Sequence, residues 1–290
     1  MENFIWENYK NTVEDYVAPE YYNQILKEYV FNGLTDLKIF RNYLDHSFFE
    51  NILELGSGSG RATDIFLDSS KGFSSLDLLD QSNQMISFLK NKYSKNTKIN
   101  YLNSDHLNFM KNTIKKYDLV YSLWSLSHSI HAFLHSKGLK QGAFEAEDIL
   151  LKFIENNINM GGEFYIVHFD SMSDEQKILM RQWRKVFPIF KNSKKQSPSK
   201  LILDRVFNKL DSNRKILFSC EHFLGEGISY KDENEYLEIF MNLHLETFFN
   251  KTEMFDTIKN DLLKLAGPYK DENGRITIAP ACYIYKIKKL

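Results

Sequence analysis

The stretch Asn51-Ile-Leu-Glu-Leu-Gly-Ser-Gly-Ser-Gly-Arg-Ala-Thr63 decides the fold of this 290-residue chain. Asn51 to Leu55 is a short apolar run of the kind that forms a buried strand. The glycines after it break that run before a helical pattern begins at about Ala62. Glycines stand at 56, 58 and 60, and Glu54 lies two residues ahead of the first. A strand, a glycine-rich turn and a helix start make a loop whose backbone a ligand can approach closely. The spacing departs from the G-x-G-x-x-G of a dinucleotide site, because Arg61 holds the place of its third glycine. The acid points the same way: a carboxylate beside the turn repels a pyrophosphate and suits an ammonium group.

Working outward, strands and helices alternate. A strand over Phe73 to Leu79 ends at Asp80, and Ser82 caps a helix over Asn83 to Lys92. Further strands read at Ile99 to Asn103, Tyr117 to Leu123 and Glu163 to His168. A helix over Glu145 to Asn157 precedes Gly161-Gly162. This alternation argues for a parallel sheet with right-handed crossovers. Upstream, residues 3–45 read as Tyr- and Phe-rich helices broken near Pro19 and Gly33. Beyond Asp170 the regular spacing stops. Helices are expected over Asp174 to Phe190, Leu201 to Leu210, Glu233 to Phe249 and Thr252 to Leu265, with a strand at Lys215 to Phe223. Ile276 to Ile287 reads as a closing strand in which Pro280 signals an edge or a bulge.

Open α/β sheets bind ligands at the carboxyl ends of their strands, and four signals recur there. They are the Glu54 to Gly60 loop, then Asp80-Gln81-Ser82, then Ser104-Asp105-His106, and last Tyr117-Asp-Leu-Val-Tyr-Ser-Leu-Trp124. Asp80 lies 22 residues after Gly58, the separation of an acid that grips ribose hydroxyls. Over residues 48–170 the chain resembles the class I S-adenosylmethionine (SAM) dependent methyltransferases. The first signal is similar to their motif I, the second to their D-x-S signature and the fourth to their fourth-strand motif. NAD binding is the competing reading.

The resemblance implies an α/β fold: a Rossmann-like, seven-stranded, mostly parallel sheet with an N-terminal helical cap and a helical C-terminal insertion. The cap is expected over 1–50, the SAM-binding core over 51–170, an acceptor lid with the sixth strand over 171–275, and the last strand over 276–290. It implies SAM as cofactor, with its amino-acid part on the loop of Glu54, Gly56, Ser57, Gly58 and Gly60. Asp80 and Gln81 fall to the ribose, and Asp105 to the adenine amino group with His106 beside it. Ser122 would lie at the exposed end of the fourth strand. The whole-chain layout is similar to histamine N-methyltransferase and its small-molecule relatives in length, in Glu246-Thr-Phe-Phe-Asn250 and in the final strand. That family's loop lacks the glutamate found here as Glu54, so architecture is carried over and substrate is not.

Catalytic candidates are the histidines after strand four, His128, His131 and His135, and His168 at the end of strand five. His128, His131 and His168 are candidates for a general base or an acceptor-orienting donor; helix capping and solvation are the alternatives. No Cys or carboxylate completes H-x2-H-x3-H as a metal site, so no metal is expected. Trp183, Phe187, Phe190, Phe240, Phe248 and Phe249 could wall an acceptor pocket or pack the insertion. Trp6, Tyr9, Tyr16, Tyr21 and Tyr22 could fold over the cofactor or pack the cap.

Composition excludes several classes. Lys plus Arg (37) nearly balances Asp plus Glu (38), which gives no general pull towards nucleic acid or anionic membrane. Two cysteines make no disulfide framework, and the start MENFIWENYK is unlike a signal peptide. A cytoplasmic enzyme is expected, moving a methyl group to N or O of a small molecule, with no membrane partner and nucleic acid disfavoured. The alternatives are an RNA or protein methyltransferase and a non-catalytic SAM-binding regulatory protein.

Overall fold

Seven strands build the central sheet: β1 (Asn51–Leu55), β2 (Ser75–Asp80), β3 (Ile99–Asn103), β4 (Tyr117–Leu123), β5 (Ile158–Phe169), β6 (Ile216–Leu224) and β7 (Ala281–Lys289). The computed structural model describes residues 17–44, 48–187, 190–191, 196–245 and 253–290. Spatial order is β3-β2-β1-β4-β5-β7-β6. β1 to β5 run parallel, and β7 lies antiparallel between β5 and β6. The order reverses between β1 and β4. The two adjacent loops leave in opposite directions there and open a crevice, where sheets of this kind bind ligands.

The core strands are apolar on both faces because helices cover both. Leu53 and Leu55 face one cluster with α5 (His106–Asn112), α6 (Leu126–Lys137), α7 (Leu139–Asn157) and α9 (Pro198–Ser212). Ile52, Leu76 and Leu78 face the other with α2 (Asp36–Leu44), α3 (Arg61–Ser69) and α4 (Asn83–Lys92). A third cluster stands over the carboxyl end of the sheet. It joins α1 (Pro19–Ile25), α8 (Asp174–Val186), α10 (Glu233–Ile239), α11 (Phe255–Ala266) and the ribbon of Ile228–Tyr230 with Ile276–Ile278. The N-terminal cap and the C-terminal insertion thus share one core. No helix among the described residues is long and apolar enough to cross a membrane.

Four details differ from the sequence reading. Gly161 and Gly162 lie inside β5, where the register against β4 shifts, and Gly161 has φ +75; glycine accommodates such an irregularity. Asn32 and Gly33, both at positive φ, turn a hairpin between Val30–Phe31 and Leu34–Thr35 where helix was expected. Pro280 separates two strands in different sheets, and β7 after it is an interior strand. The helix expected over Glu233 to Phe249 ends at Ile239 and continues as a wider π-type turn over Phe240–His244. Trp6, Tyr9, Tyr16 and Glu246 to Asn250, with Phe248 and Phe249, lie outside the described residues.

Candidate active site

A cavity of about 580 Å³ opens beyond the carboxyl ends of β1, β2, β4 and β5, roofed by α1, α8 and the 240–244 turn. Ligand pockets run from roughly 300 to 1,000 Å³. One end is the glycine loop. Gly56 N–H and Ser57 N–H donate to the Leu79 carbonyl at 2.8 and 3.0 Å, which hangs the loop on β2. Gly58 N–H donates to Asp80 Oδ2 at 2.8 Å, and Ser82 N–H to Asp80 Oδ1 at 2.9 Å. Asp80 is therefore fixed at the cavity edge, oriented to accept from hydroxyls. A Cβ on Gly58 would meet nothing within 4 Å, because it would stand in cavity space. The loop is a cradle with room beside bare backbone, as the amino-acid end of SAM requires.

Of the residues assigned to the cofactor, Gly56, Gly58, Asp80, Gln81 and His106 line this cavity. Glu54, Ser57, Gly60, Asp105 and Ser122 are not among its described lining residues and stand behind the wall. Ser122 Oγ donates to the Leu55 carbonyl and accepts from Leu126 N–H, tying β4 to β1 and α6. Asp105 caps α5 by accepting from Asn108 N–H, and takes a second bond from Ser129 Oγ at 3.0 Å. Ser59 Oγ donates to Asn23 Oδ1 at 2.6 Å, which clips α1 onto the loop.

Glu54 lies beneath the loop rather than in the cavity. Its Oε2 accepts from Thr63 Oγ1 at 2.6 Å and Tyr121 OH at 2.9 Å, and the residue is buried. Burial pushes its carboxyl up to about 8, against the pull of those two hydroxyls. The folded protein then keeps a proton that the unfolded chain loses above the ordinary carboxyl value of 4.5. Stability without ligand should fall as pH rises from 4.5 to 8, and level off above. One proton contributes up to about 1.4 kcal/mol per pH unit. Glu54→Gln should flatten that slope in thermal melts between pH 5 and 9. An unchanged slope would remove Glu54 as its source.

The other end of the cavity is aromatic and rich in imidazole. His128, His131 and His135 come from one face of α6, and Phe169, Trp183, Phe187 and Phe190 stand among them. Ser199 N–H donates to His131 Nε2 at 3.3 Å, so the neutral ring carries its proton on Nδ1. Burial holds His131 well below its usual pKa, and Phe190 packs edge-on against it at 4.7 Å. His168, expected on the same rim, lies behind the wall. Its Nδ1 faces the Phe169 carbonyl at 2.7 Å and must donate, so Nε2 accepts from Ser199 Oγ at 2.8 Å. Burial lowers it to about 4. Both of its nitrogens are committed to structure.

His106 is buried and lowered to about 4 by burial, with the Asp105 charge acting in the opposite direction; its Nδ1 has no partner among the described residues. His128 is half-buried, and its charge acts on His106, His131, His168 and His244.

Sequence reasoning did not single out Glu175, His244 and Tyr29, which also line the cavity. They come together only through the packing of the third cluster. Trp124 is a further lining residue, held at φ +66, a costly conformation for a bulky side chain. Its Nε1 donates to buried Asp36 Oδ2 at 2.8 Å and its ring meets Tyr29 at 4.8 Å, which binds the cap to the end of β4. Among the described residues no group of three or more His, Cys, Asp or Glu is placed to hold a metal ion.

Residues 52–141 match a family model described as a methyltransferase domain. No curated protein matches the chain. Among solved structures, the YcgJ protein of Bacillus subtilis has 9% sequence identity, with 87% of this chain and 97% of that chain covered and a TM-score of 0.52. The likeness to it is one of fold. The N-methyltransferase NodS from Bradyrhizobium japonicum WM9, in complex with S-adenosylhomocysteine (SAH), has 11% identity, with 87% and 83% covered and a TM-score of 0.46.

Proposed function

We propose that the chain is a SAM-dependent methyltransferase, a reading supported by the methyltransferase domain matched over residues 52–141, and that it moves the methyl group to a nitrogen or oxygen of a small-molecule acceptor. The observation that carries this reading is the roofed aromatic end of the cavity. Its walls come from α6, α8 and the 240–244 turn. A space of about 580 Å³ that also takes the nucleoside and amino acid of the cofactor leaves room for a small partner. The lining cations, Lys27 and Arg61, stand near carboxylates of their own: Glu235 at 2.6 Å and Asp36 at 4.0 Å. They form no track for a nucleic-acid backbone. The free cysteines Cys220 and Cys282 agree with a cytoplasmic enzyme.

Bound SAM supplies an electrophilic methyl group on a sulfonium, open to in-line displacement. The chain supplies position and a dry site. Gly56 and Gly58 would give bare backbone to its amino-acid end, Asp80 would accept from its ribose hydroxyls, and Met85 and His106 would hold its base. Trp124, Phe169, Trp183 and Phe187 exclude water from the acceptor. His128 takes the acceptor's proton or holds its lone pair in line.

The test is methyl transfer from SAM by the purified protein to panels of small amines, phenols and carboxylic acids, with total RNA and total protein in parallel. SAH release together with a small product one methylene heavier is the expected result. Methyl groups found only in RNA or protein would overturn the reading.

A further inference from the structure

The cavity holds a second carboxylate besides Asp80. Glu175, in the first turn of α8, is 2% exposed and lines the roofed end. Tyr29 OH donates to its Oε1 at 2.8 Å, Gln176 Nε2 reaches its Oε2 at 3.3 Å, and His244 Nε2 lies 3.7 Å from Oε1. No described lysine or arginine is paired with it; the lining cations Lys27 and Arg61 stand against Glu235 and Asp36. Burial lowers the pKa of His244, against the pull of the Glu175 charge, which weakens that ring as a countercharge. The hydrogen-bond donors on Glu175 are the neutral groups of Tyr29 and Gln176.

Burying a carboxylate costs several kcal/mol unless it meets an opposite charge. The α8 N-terminus and one hydroxyl donor each offset only a small part of that. What remains favours a cation arriving from the cavity. Tyr29, Trp124, Trp183 and Phe187 line the same space, and aromatic faces attract a desolvated cation.

We propose that Glu175 is the binding point for a positively charged group of the methyl acceptor, remote from the atom that is methylated. This rests on the small-molecule reading above. The remoteness follows from the chemistry, because the attacking atom needs a free lone pair and a carboxylate beside it would stabilise its protonated form. The acceptor is then a small molecule that is cationic at one end and nucleophilic at the other, such as a diamine or an aminoalkyl phenol. Glu175 is a specificity residue and takes no part in the displacement.

The test is calorimetric binding at pH 7, with SAH present, of two probes of like shape: 2-phenylethylamine, which is protonated, and 2-phenylethanol, which is neutral. The wild type should bind the ammonium on the order of thirtyfold or more tightly than the alcohol. Glu175→Gln keeps size and the Tyr29 contact; it should erase that preference and leave SAH affinity unchanged. Equal binding of the two probes, no binding of either, or a preference that survives in Glu175→Gln would overturn the proposal. The small-molecule reading fails separately, through the product assay. A cation preference dependent on Glu175 alongside methyl transfer only to RNA or protein would sink that reading and leave the cation site standing.

Discussion

Gly56→Ala is expected to abolish SAH binding and lower the melting temperature, whereas Gly58→Ala lowers SAH affinity and leaves the fold close to intact. Both glycines sit at positive φ, +77 and +51. An L side chain there costs about 1–2 kcal/mol in either case. The difference is what the new methyl group meets. At Gly56 it would lie 1.8 Å from Ser125 Oγ, 2.3 Å from Ser125 Cβ and 3.2 Å from His106 Cε1. These overlaps require movement, and overpacking of that kind adds about 1–3 kcal/mol. Ser125 precedes α6, and its carbonyl accepts from His128 N–H at 3.0 Å. Displacing it moves the histidine face together with the loop. At Gly58 the methyl group enters open cavity, so the loss appears only when a ligand needs that space. Differential scanning calorimetry and SAH titration separate the two effects. Wild-type SAH affinity in Gly58→Ala would remove that glycine from the cradle.

The parts of this site legible in the sequence are those carried by local pattern. The apolar run of β1, the glycines after it and the acid after β2 are each fixed by their own neighbours. Strand parity was harder to exploit. Successive side chains of a strand point to opposite faces, so Glu54 shares a face with Ile52, beneath α3 and beside Tyr121. By the same rule Phe169 lines the cavity while His168 turns to Ser199 on α9. A histidine next to a cavity residue is one position away in sequence and on the other side of the sheet. Asn32-Gly33 carried a legible hairpin signal, but the aromatic-rich surroundings read as helix. Glu175 and His244 carried no local signal. Their meeting depends on the π-type turn and on how α8, α10 and α11 pack, which no window of a few residues encodes.

Strand parity turns His168 away from the cavity while His128 and His131 reach it from α6, and substitution makes the separation measurable. His128→Ala should lower kcat by about 10²–10⁴-fold, the range of a lost general base, and leave SAH affinity unchanged. His168→Ala should instead lower stability. It strips partners from the Phe169 carbonyl and Ser199 Oγ, both buried, at about 1–3 kcal/mol for each unsatisfied group. Turnover per folded molecule should persist. His131 is a poor base for a different reason. Its Nε2 lone pair is taken by Ser199 N–H, so the neutral ring offers only an Nδ1–H, and burial resists a second proton. Among the three sequence candidates, His128 and His131 line the cavity, and His131 has its Nε2 turned to Ser199 N–H. A general base acts only in its unprotonated form, so activity that depends on His128 should rise with pH, and that limb should vanish in His128→Ala. Full kcat in His128→Ala, with the rising limb intact, would mean that the acceptor enters with its lone pair already free and that alignment by the aromatic walls is the whole of the catalysis.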